Sequence, residues 1–264
     1  MMYMNKYFFI ILILFSTHYL SAQNLVTHIP PEKTKTSKID TLITTLDATT
    51  NYKHIIILEN DITIQDGYLI ANKKTGKWFT YSSNGILLSF SEYENGMKNG
   101  IYLECDKNGA VVVQELYKND RLEGEQKKYV SVKNVRILKG SYAYKNGVYH
   151  GTCTEYNEMG LPQSQAQYTL GKRDGFAKWY FSSGKLAMEQ TYINDILTGP
   201  QKIFGQTGNL LSEGNFNNNL KTGLWTEYYD NGKMKSQGSF AKDAKTGAWK
   251  YYDESGNLNK TESF

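Results

Sequence analysis

Histidine, cysteine and proline are scarce in this sequence of 264 residues. It contains four histidines, two cysteines and four prolines. Metal and catalytic sites need liganding or titratable side chains in clusters, yet His28, His54 and His150 lie in three separate segments without a second ligand at metal-binding spacing. No glycine-rich phosphate loop is followed by a helix. The sequence therefore predicts no enzyme active site, no metal site and no cofactor.

A strong excess of one charge and a long apolar run are also missing. Lys plus Arg number 30 and Asp plus Glu 26, and the excess is spread along the chain, which argues against a nucleic-acid partner. The apolar run at 7–15 is about half of the ~20 residues that a membrane helix needs. With Lys6 before it and Ser21-Ala22 after it, the run predicts a signal peptide over residues 1–22. We expect an exported protein that is periplasmic, cell-surface or secreted.

The segment after the expected cleavage point is irregular. Residues 23–38 are polar and contain Pro30-Pro31, which predicts a linker. Residues 54–59 and 61–64 are strand-like, and we expect residues 39–75 to cap the first exposed edge of the C-terminal region. Within this cap, helical spacing of four apolar residues predicts a short amphipathic helix, weakened by the intervening threonines. These apolar residues are Ile39, Leu42, Ile43 and Leu46.

What the sequence has in abundance is a repeat of about 24 residues over 76–264. Eight anchor glycines recur at spacings of 24, 24, 27, 24, 24, 24 and 24, which is the mark of a tandem array. They are Gly76, Gly100, Gly124, Gly151, Gly175, Gly199, Gly223 and Gly247. A second glycine usually follows nine residues later, as in Asn84-Gly85, and a third turn signal such as Asn95-Gly96 closes the unit. Because Asn-Gly suits tight hairpin turns, each repeat is predicted to be two strands and two turns.

Aromatic residues occupy two positions of each repeat and should stack along the array. The first position carries Tyr81, Cys105, Tyr129, Tyr156, Tyr180, Phe204, Tyr228 and Tyr252. The second carries Tyr93, Tyr117, Tyr144, Tyr168, Tyr192, Phe216, Phe240 and Phe264. Leu87 and its equivalents lie six residues before the second position, an even spacing that predicts one shared face. One face of the sheet is expected to be buried and the other solvated.

These positions resemble the variant form of the MORN repeat. The pattern G-x-W-x-x-Y-x-x-x-G-x-L followed by Y-x-N-G/D is clearest from Gly223 through Met234, and nearly as clear from Gly76 through Gly96. The resemblance implies an all-β fold: an elongated array of tandem antiparallel hairpins, forming an open sheet or solenoid with a small N-terminal cap. It also implies binding rather than catalysis, since related repeats are associated with membranes and scaffolding and some bacterial relatives with antitoxins.

Two sets of side chains are candidates for binding. A cation stands two residues before five anchor glycines, and the resulting ladder could meet an acidic partner, anionic lipid or polysaccharide, or could simply solubilise a row of turns. Its members are Lys74, Lys98, Arg173, Lys221 and Lys245. Trp78, Trp225 and Trp249 share another position, where they would form either an exposed aromatic strip or packing within the sheet.

The third repeat is irregular. It has three extra residues around 130–136 and no middle glycine, which predicts a lengthened hairpin and a projecting loop at Val132 and Lys133. This loop is either a tolerated insertion or a partner-specific contact. The repeat register also separates Cys105 from Cys153 by two repeats and places them on opposite faces, so both are predicted to be free thiols.

The leading functional hypothesis is an exported, non-enzymatic repeat protein that acts as a protein-binding or scaffold module. A binder of the membrane surface or of envelope glycan is the second, and an antitoxin-like partner of a toxin is the third. The identity of the partner does not follow from the sequence.

Overall fold

The computed structural model describes residues 37–132 and 135–264, and Ser37–Phe264 form one compact unit. The expected signal peptide at 1–22 and nearly all of the linker at 23–38 lie outside the described residues. All regular elements in the described part are β-strands. None of its elements is a helix that is long and apolar enough to cross a membrane.

Twenty strands follow one another along the chain. Their bounds are β1 (Ile39–Asp47), β2 (Tyr52–Glu59), β3 (Ile62–Ile70), β4 (Lys73–Tyr81), β5 (Leu87–Glu94), β6 (Met97–Cys105), β7 (Val111–Lys118), β8 (Arg121–Leu122), β9 (Gly124–Val132), β10 (Val135–Lys145), β11 (Val148–Tyr156), β12 (Pro162–Thr169), β13 (Lys172–Tyr180), β14 (Leu186–Ile193), β15 (Ile196–Phe204), β16 (Leu210–Asn217), β17 (Leu220–Tyr228), β18 (Met234–Ala241), β19 (Ala244–Tyr252) and β20 (Leu258–Ser263).

The strands form a single open antiparallel sheet in which the spatial order follows the chain. Each strand except β8 pairs with the next along the chain, from β1 with β2 to β19 with β20. The short strand β8 pairs with β7, and β9 pairs with both β7 and β10. This arrangement confirms the predicted all-β array of tandem hairpins.

The two kinds of turn follow the predicted chemistry. Asn95 and Gly96 both have positive φ angles, 53° and 87°, as a two-residue type I′ hairpin turn requires. In the longer turns the middle glycine closes the loop, as when the Gly85 amide donates to the carbonyl of Ser82 at 2.9 Å. Turn residues with positive φ angles, glycine and asparagine foremost, therefore mark the ends of the strands.

The amphipathic helix expected around Ile39 is wrong. Residues 39–47 form strand β1, whose Ile43 pairs with Ile55 of β2. Ile, Thr and Leu alternate here, and β-branched side chains fit a pleated strand better than a helix. The neighbouring strand β2 supplies the ladder hydrogen bonds, which overrides the weak helical spacing. Whether residues 39–75 act as a cap stays a prediction.

The expectation of one buried and one solvated face holds only in part: one face carries most of the buried side chains, but the other carries some as well. The consecutive residues Trp225 and Thr226 are both buried, at 4% and 5% exposure, although neighbours in a strand point to opposite faces. In addition, β5 carries one extra residue, so Thr80 pairs with Ser89 but Tyr81 pairs with Leu87. Because of this β-bulge, Leu87 and Tyr93 do not lie on the same face of the sheet. Leu87 instead shares a face with Tyr81, which holds the first aromatic position.

Candidate binding surface

A row of cross-strand neighbours runs through the middle of one face and contains most of the buried side chains. We call it the inner row. Its main position lies two residues after each anchor glycine, and carries Trp78, Tyr102, Gln126, Cys153, Ala177, Gln201, Trp225 and Trp249. All of these except Tyr102 are buried, at 1–8% exposure.

Each tryptophan of the inner row packs over a glycine of the preceding strand. Trp78 covers Gly67, Trp225 covers Gly214 and Trp249 covers Gly238; a Cβ atom at these glycines would lie 2.1–2.2 Å from the indole ring. Each indole N–H also donates to a backbone carbonyl, for example from Trp78 to Tyr68 at 2.9 Å. Burial on glycine and a satisfied N–H together hold each ring flat on the sheet.

The tryptophans therefore do not form an exposed strip, and packing within the sheet is what the structure shows. Trp78, Trp225 and Trp249 are only 7%, 4% and 4% exposed. The glycines beneath them were missed in the sequence, although they carry a signal: unlike the turn glycines, they stand eleven residues before a tryptophan.

Where the main position of the inner row is not tryptophan, the residue eleven positions earlier is not glycine. Ala177, at 1% exposure, pairs with Ala166, and the side chain of Gln190 donates to Gln201. At five of its eight positions the row thus holds a large ring over glycine, two small residues or two hydrogen-bonded amides. Because complementary volumes avoid both cavities and overlaps, each pair preserves the spacing of the strands.

The predicted cations lie on the same face and stack on aromatic rings. The nearest ring centroids are 4.2 Å from Lys74 Nζ (Trp78), 4.0 Å from Lys98 Nζ (Tyr102), 4.1 Å from the Arg173 guanidinium carbon (Tyr192), 4.3 Å from Lys221 Nζ (Trp225) and 4.3 Å from Lys245 Nζ (Trp249). The four lysines of the ladder also lie over the second aromatic residue of their own repeat, for example Lys221 over Phe240 at 5.1 Å. We call this surface the ladder face.

The cations of the ladder are half-buried rather than free in solvent. Burial, together with the charge of Lys98, lowers the pKa of Lys74. A cation over an aromatic face is stabilised by about 0.5–1 kcal/mol at exposed sites and by more when it is desolvated. Each positive charge is thus held at a defined position.

Turn carboxylates fix the backbone beneath three of these cations. The backbone N–H groups of Lys98, Arg173 and Lys221 donate to Asp120, Asp195 and Asp243, at 2.7, 2.9 and 2.7 Å. Each carboxylate belongs to the turn of the following hairpin, and Asp195 also binds Arg173 Nε at 3.2 Å. The ladder is therefore tied from one repeat to the next.

The ladder is not continuous. Leu122, Tyr149 and Leu197 occupy its position in the third, fourth and sixth repeats. Since successive positions are two strands apart, or about 9–10 Å, the surface alternates cationic segments with aliphatic or aromatic ones. This alternation gives the ladder face a chemical pattern along the array.

The insertion in repeat three does not form the predicted projecting loop. Its extra residues lengthen the two strands, so that Val132 pairs with Val135 and only residues 133 and 134 connect them. Val132 is 43% exposed and Lys133 lies outside the described residues. Arg136 stacks over Tyr129 at 4.4 Å. The insertion is an extended hairpin because alternating Val and Ser continue the strand pattern.

Histidine and carboxylate side chains form no cluster of metal-ligand type in the described residues, where no three of His, Cys, Asp or Glu come together. His54 lies 2.7 Å from Asp66 and stacks on Tyr68, with ring centroids 4.8 Å apart. The imidazole is thus held by one carboxylate and one ring. His150 lies in β11, where its Nδ1 accepts a bond from Leu170.

Both cysteines are free and buried, which confirms the prediction that they are not paired. Cys105 and Cys153 are each 8% exposed, and burial raises the pKa of both thiols. Because the thiolate is the reactive form, we expect slow alkylation of the folded protein near neutral pH. Thiol titration after unfolding without reductant should count two thiols per chain. A count of zero in a monomer would contradict the repeat register.

The comparisons with known proteins agree with this architecture. A family model described as the MORN repeat variant matches residues 173–194, 197–218, 221–242 and 245–264. Each matched segment begins at or near the first strand of one hairpin unit and includes one anchor glycine. No curated protein gives a significant sequence match.

Proposed function

Residues 173–264 are four tandem MORN repeat variants, a non-catalytic type of repeat that often binds protein or membrane, and from this premise we propose a specific role for the chain. It is an exported, non-enzymatic protein-binding or scaffold module that holds a protein partner on the ladder face.

The observation that carries this proposal is the fixed position of the ladder cations. Each lies within 4.0–4.3 Å of a ring centroid, and the ring beneath is itself packed on the sheet. Binding to a preorganised group costs less conformational entropy than binding to a free lysine. Aromatic residues and arginine are also common at the centres of protein interfaces.

A protein partner fits the pattern better than a membrane surface does. Recognition of anionic lipid favours clusters of four to eight basic residues, whereas Leu122, Tyr149 and Leu197 interrupt this ladder. A folded partner can place acidic and apolar groups at matching intervals. The membrane or envelope-glycan binder remains the second candidate because of the ladder itself. An antitoxin-like role is third, since neutralising a toxin in the cytoplasm would not require export.

The test compares two double variants of equal charge. Lys98→Gln with Lys221→Gln removes two ladder cations, and Lys77→Gln with Lys202→Gln removes two exposed lysines from the same array. Each purified protein is immobilised and incubated with an envelope extract of the source cells, and retained proteins are identified. We expect one protein to be retained by the wild type and the control pair but lost from the ladder pair.

Vesicles containing anionic phospholipid provide the second arm of this test. Sedimentation with these vesicles, if it is abolished by moderate salt and by the ladder pair, assigns the surface to membrane binding, because exposed charge interactions are screened. Equal retention of the same protein by both double variants would reject the ladder face as the binding surface.

A further inference from the structure

Most cations of the ladder face have no carboxylate partner. Among the described residues, the salt bridges include Arg173, whose Nε lies 3.2 Å from Asp195, but none of the four ladder lysines. These lysines are half-buried over aromatic rings. Because interfaces place opposite charges against one another, the face favours a partner that supplies carboxylates.

The ladder positions follow one another at a fixed distance. They are two strands apart, and neighbouring strands lie about 4.7–4.9 Å apart, so the period of the ladder is about 9.4–9.8 Å. From the second repeat onward, each ladder position pairs with the second aromatic residue of the preceding repeat, as Lys98 pairs with Tyr93 and Lys221 with Phe216. The row therefore keeps the same register along the array.

A polyproline II helix has nearly the same period as the ladder. It rises about 3.1 Å per residue with three residues per turn, so every third side chain returns to the same side after about 9.3 Å. A β-strand returns a side chain after about 6.4–6.8 Å, and seven residues of an α-helix span about 10.5 Å. Over the seven intervals of the ladder the α-helix would be displaced by about 5–8 Å, but the polyproline II helix by only about 1–4 Å. Of these three backbones, polyproline II fits best.

The interruptions of the ladder indicate which of these third residues are acidic. In array order the positions hold two cations, Leu122, Tyr149, a cation, Leu197 and two cations. Tyr149 lies between Tyr144 and Tyr168, with ring centroids 4.8 and 5.1 Å away. A carboxylate at an interruption would be desolvated without a cation to pair with, so these three positions favour apolar side chains.

We propose that the ladder face binds a proline-rich segment of the partner in polyproline II conformation. Every third residue of the segment faces the ladder; it is acidic opposite a cation and apolar opposite Leu122, Tyr149 or Leu197. This inference rests on the proposed function, because it specifies which part of a protein partner the face holds. Proline-rich segments adopt this conformation before they bind, which lowers the entropic cost of binding, and they dock on aromatic-lined surfaces in several recognition domains.

Synthetic peptides test both the period and the pattern. The patterned peptide is proline except at every third residue, which is Glu for each cation position and Leu for each interruption. It is made in both chain directions. A uniform peptide carries Glu at all of these third residues. A shifted peptide keeps the same order of Glu and Leu but spaces them four residues apart. Fluorescence polarisation of labelled peptides, with the protein expressed from its complete coding sequence, measures each Kd.

At about 0.15 M salt, where long-range attraction is screened, one direction of the patterned peptide should bind the wild type about tenfold more tightly than the uniform or shifted peptide. The shifted peptide advances about 12.4 Å between its Glu side chains and so loses the register. Lys98→Gln with Lys221→Gln should weaken binding of the patterned peptide by about tenfold. The matched pair Lys77→Gln with Lys202→Gln should leave it unchanged.

Three outcomes would overturn the proposal. Equal or tighter binding of the uniform peptide would assign the face to a uniform polyanion, such as an anionic lipid surface or a polysaccharide. Equal binding of the shifted peptide, or no binding in either direction, would reject the polyproline II segment. In that last case an envelope protein that is retained by the control pair and lost from the ladder pair would still support protein binding on this face. Equal retention by both pairs would reject the proposed function as well.

Discussion

Gly238→Ala is expected to destabilise the C-terminal repeats by about 2–4 kcal/mol, which lies between the typical costs of overpacking and of losing a buried ring. The new Cβ atom would lie 2.2 Å from the Trp249 ring, so the indole must leave its position. It would then lose its bond to the Ser239 carbonyl, its edge contact with Phe240 and the stacked Lys245. Chemical denaturation followed by tryptophan fluorescence and circular dichroism measures the change.

The matched control places the same substitution in a Trp249→Ala background. Trp249→Ala alone should be strongly destabilising, but adding Gly238→Ala to it should cost little. The double variant recreates the Ala166–Ala177 pair that the chain already uses three repeats earlier. Such a coupling energy isolates the contact between the two sites. If Gly238→Ala cost the same in both backgrounds, the volume rule of the inner row would be wrong.

The repeat itself was predictable because its turns have strong local chemistry. The anchor glycines and Asn-Gly pairs need backbone angles that few other residues adopt, so Gly96 and Gly85 mark strand ends in the sequence and in the fold. The free cysteines followed from the same register. Packing of the tryptophans within the sheet was one of two alternatives, and the buried position of Trp225 decides between them.

Cross-strand relations were harder to predict. The stacking of Lys221 on Phe240 joins residues that are nineteen positions apart, and the glycine beneath Trp225 lies on a neighbouring strand. The bulge in β5 shifts the pairing of Leu87 by one residue, which no periodicity within one strand reveals. Strand β1 was mistaken for a helix because its apolar spacing suits both structures, and only its partner β2 decides between them.

The second large effect is expected in alkali, where the folded protein should unfold between about pH 10 and pH 12. Burial is the main cause that raises the pKa of eight tyrosines of the sheet. They are Tyr81, Tyr102, Tyr117, Tyr142, Tyr144, Tyr168, Tyr192 and Tyr228. For Tyr142 the pKa is raised to about 12, and those of Tyr117 and Tyr144 are raised further.

The sign follows from comparing the folded with the unfolded chain. Tyrosine in an unfolded chain loses its proton near pH 10, whereas the fold keeps these phenols neutral to a higher pH. Their contribution to stability is complete below about pH 10 and is lost progressively as the pH rises through the folded pKa values.

Absorbance of tyrosinate and circular dichroism, recorded on the same samples, measure this transition. We expect both signals to change together, because the phenols ionise as the strands separate. Tyr142→Phe removes one titrating group whose hydroxyl has no hydrogen-bond partner among the described side-chain bonds. It should leave stability at pH 7 nearly unchanged and move the alkaline midpoint to higher pH. Ionisation of all tyrosines near pH 10 with the strand signal intact would show that the rings are not protected by burial, and that the sheet gains nothing from keeping them neutral.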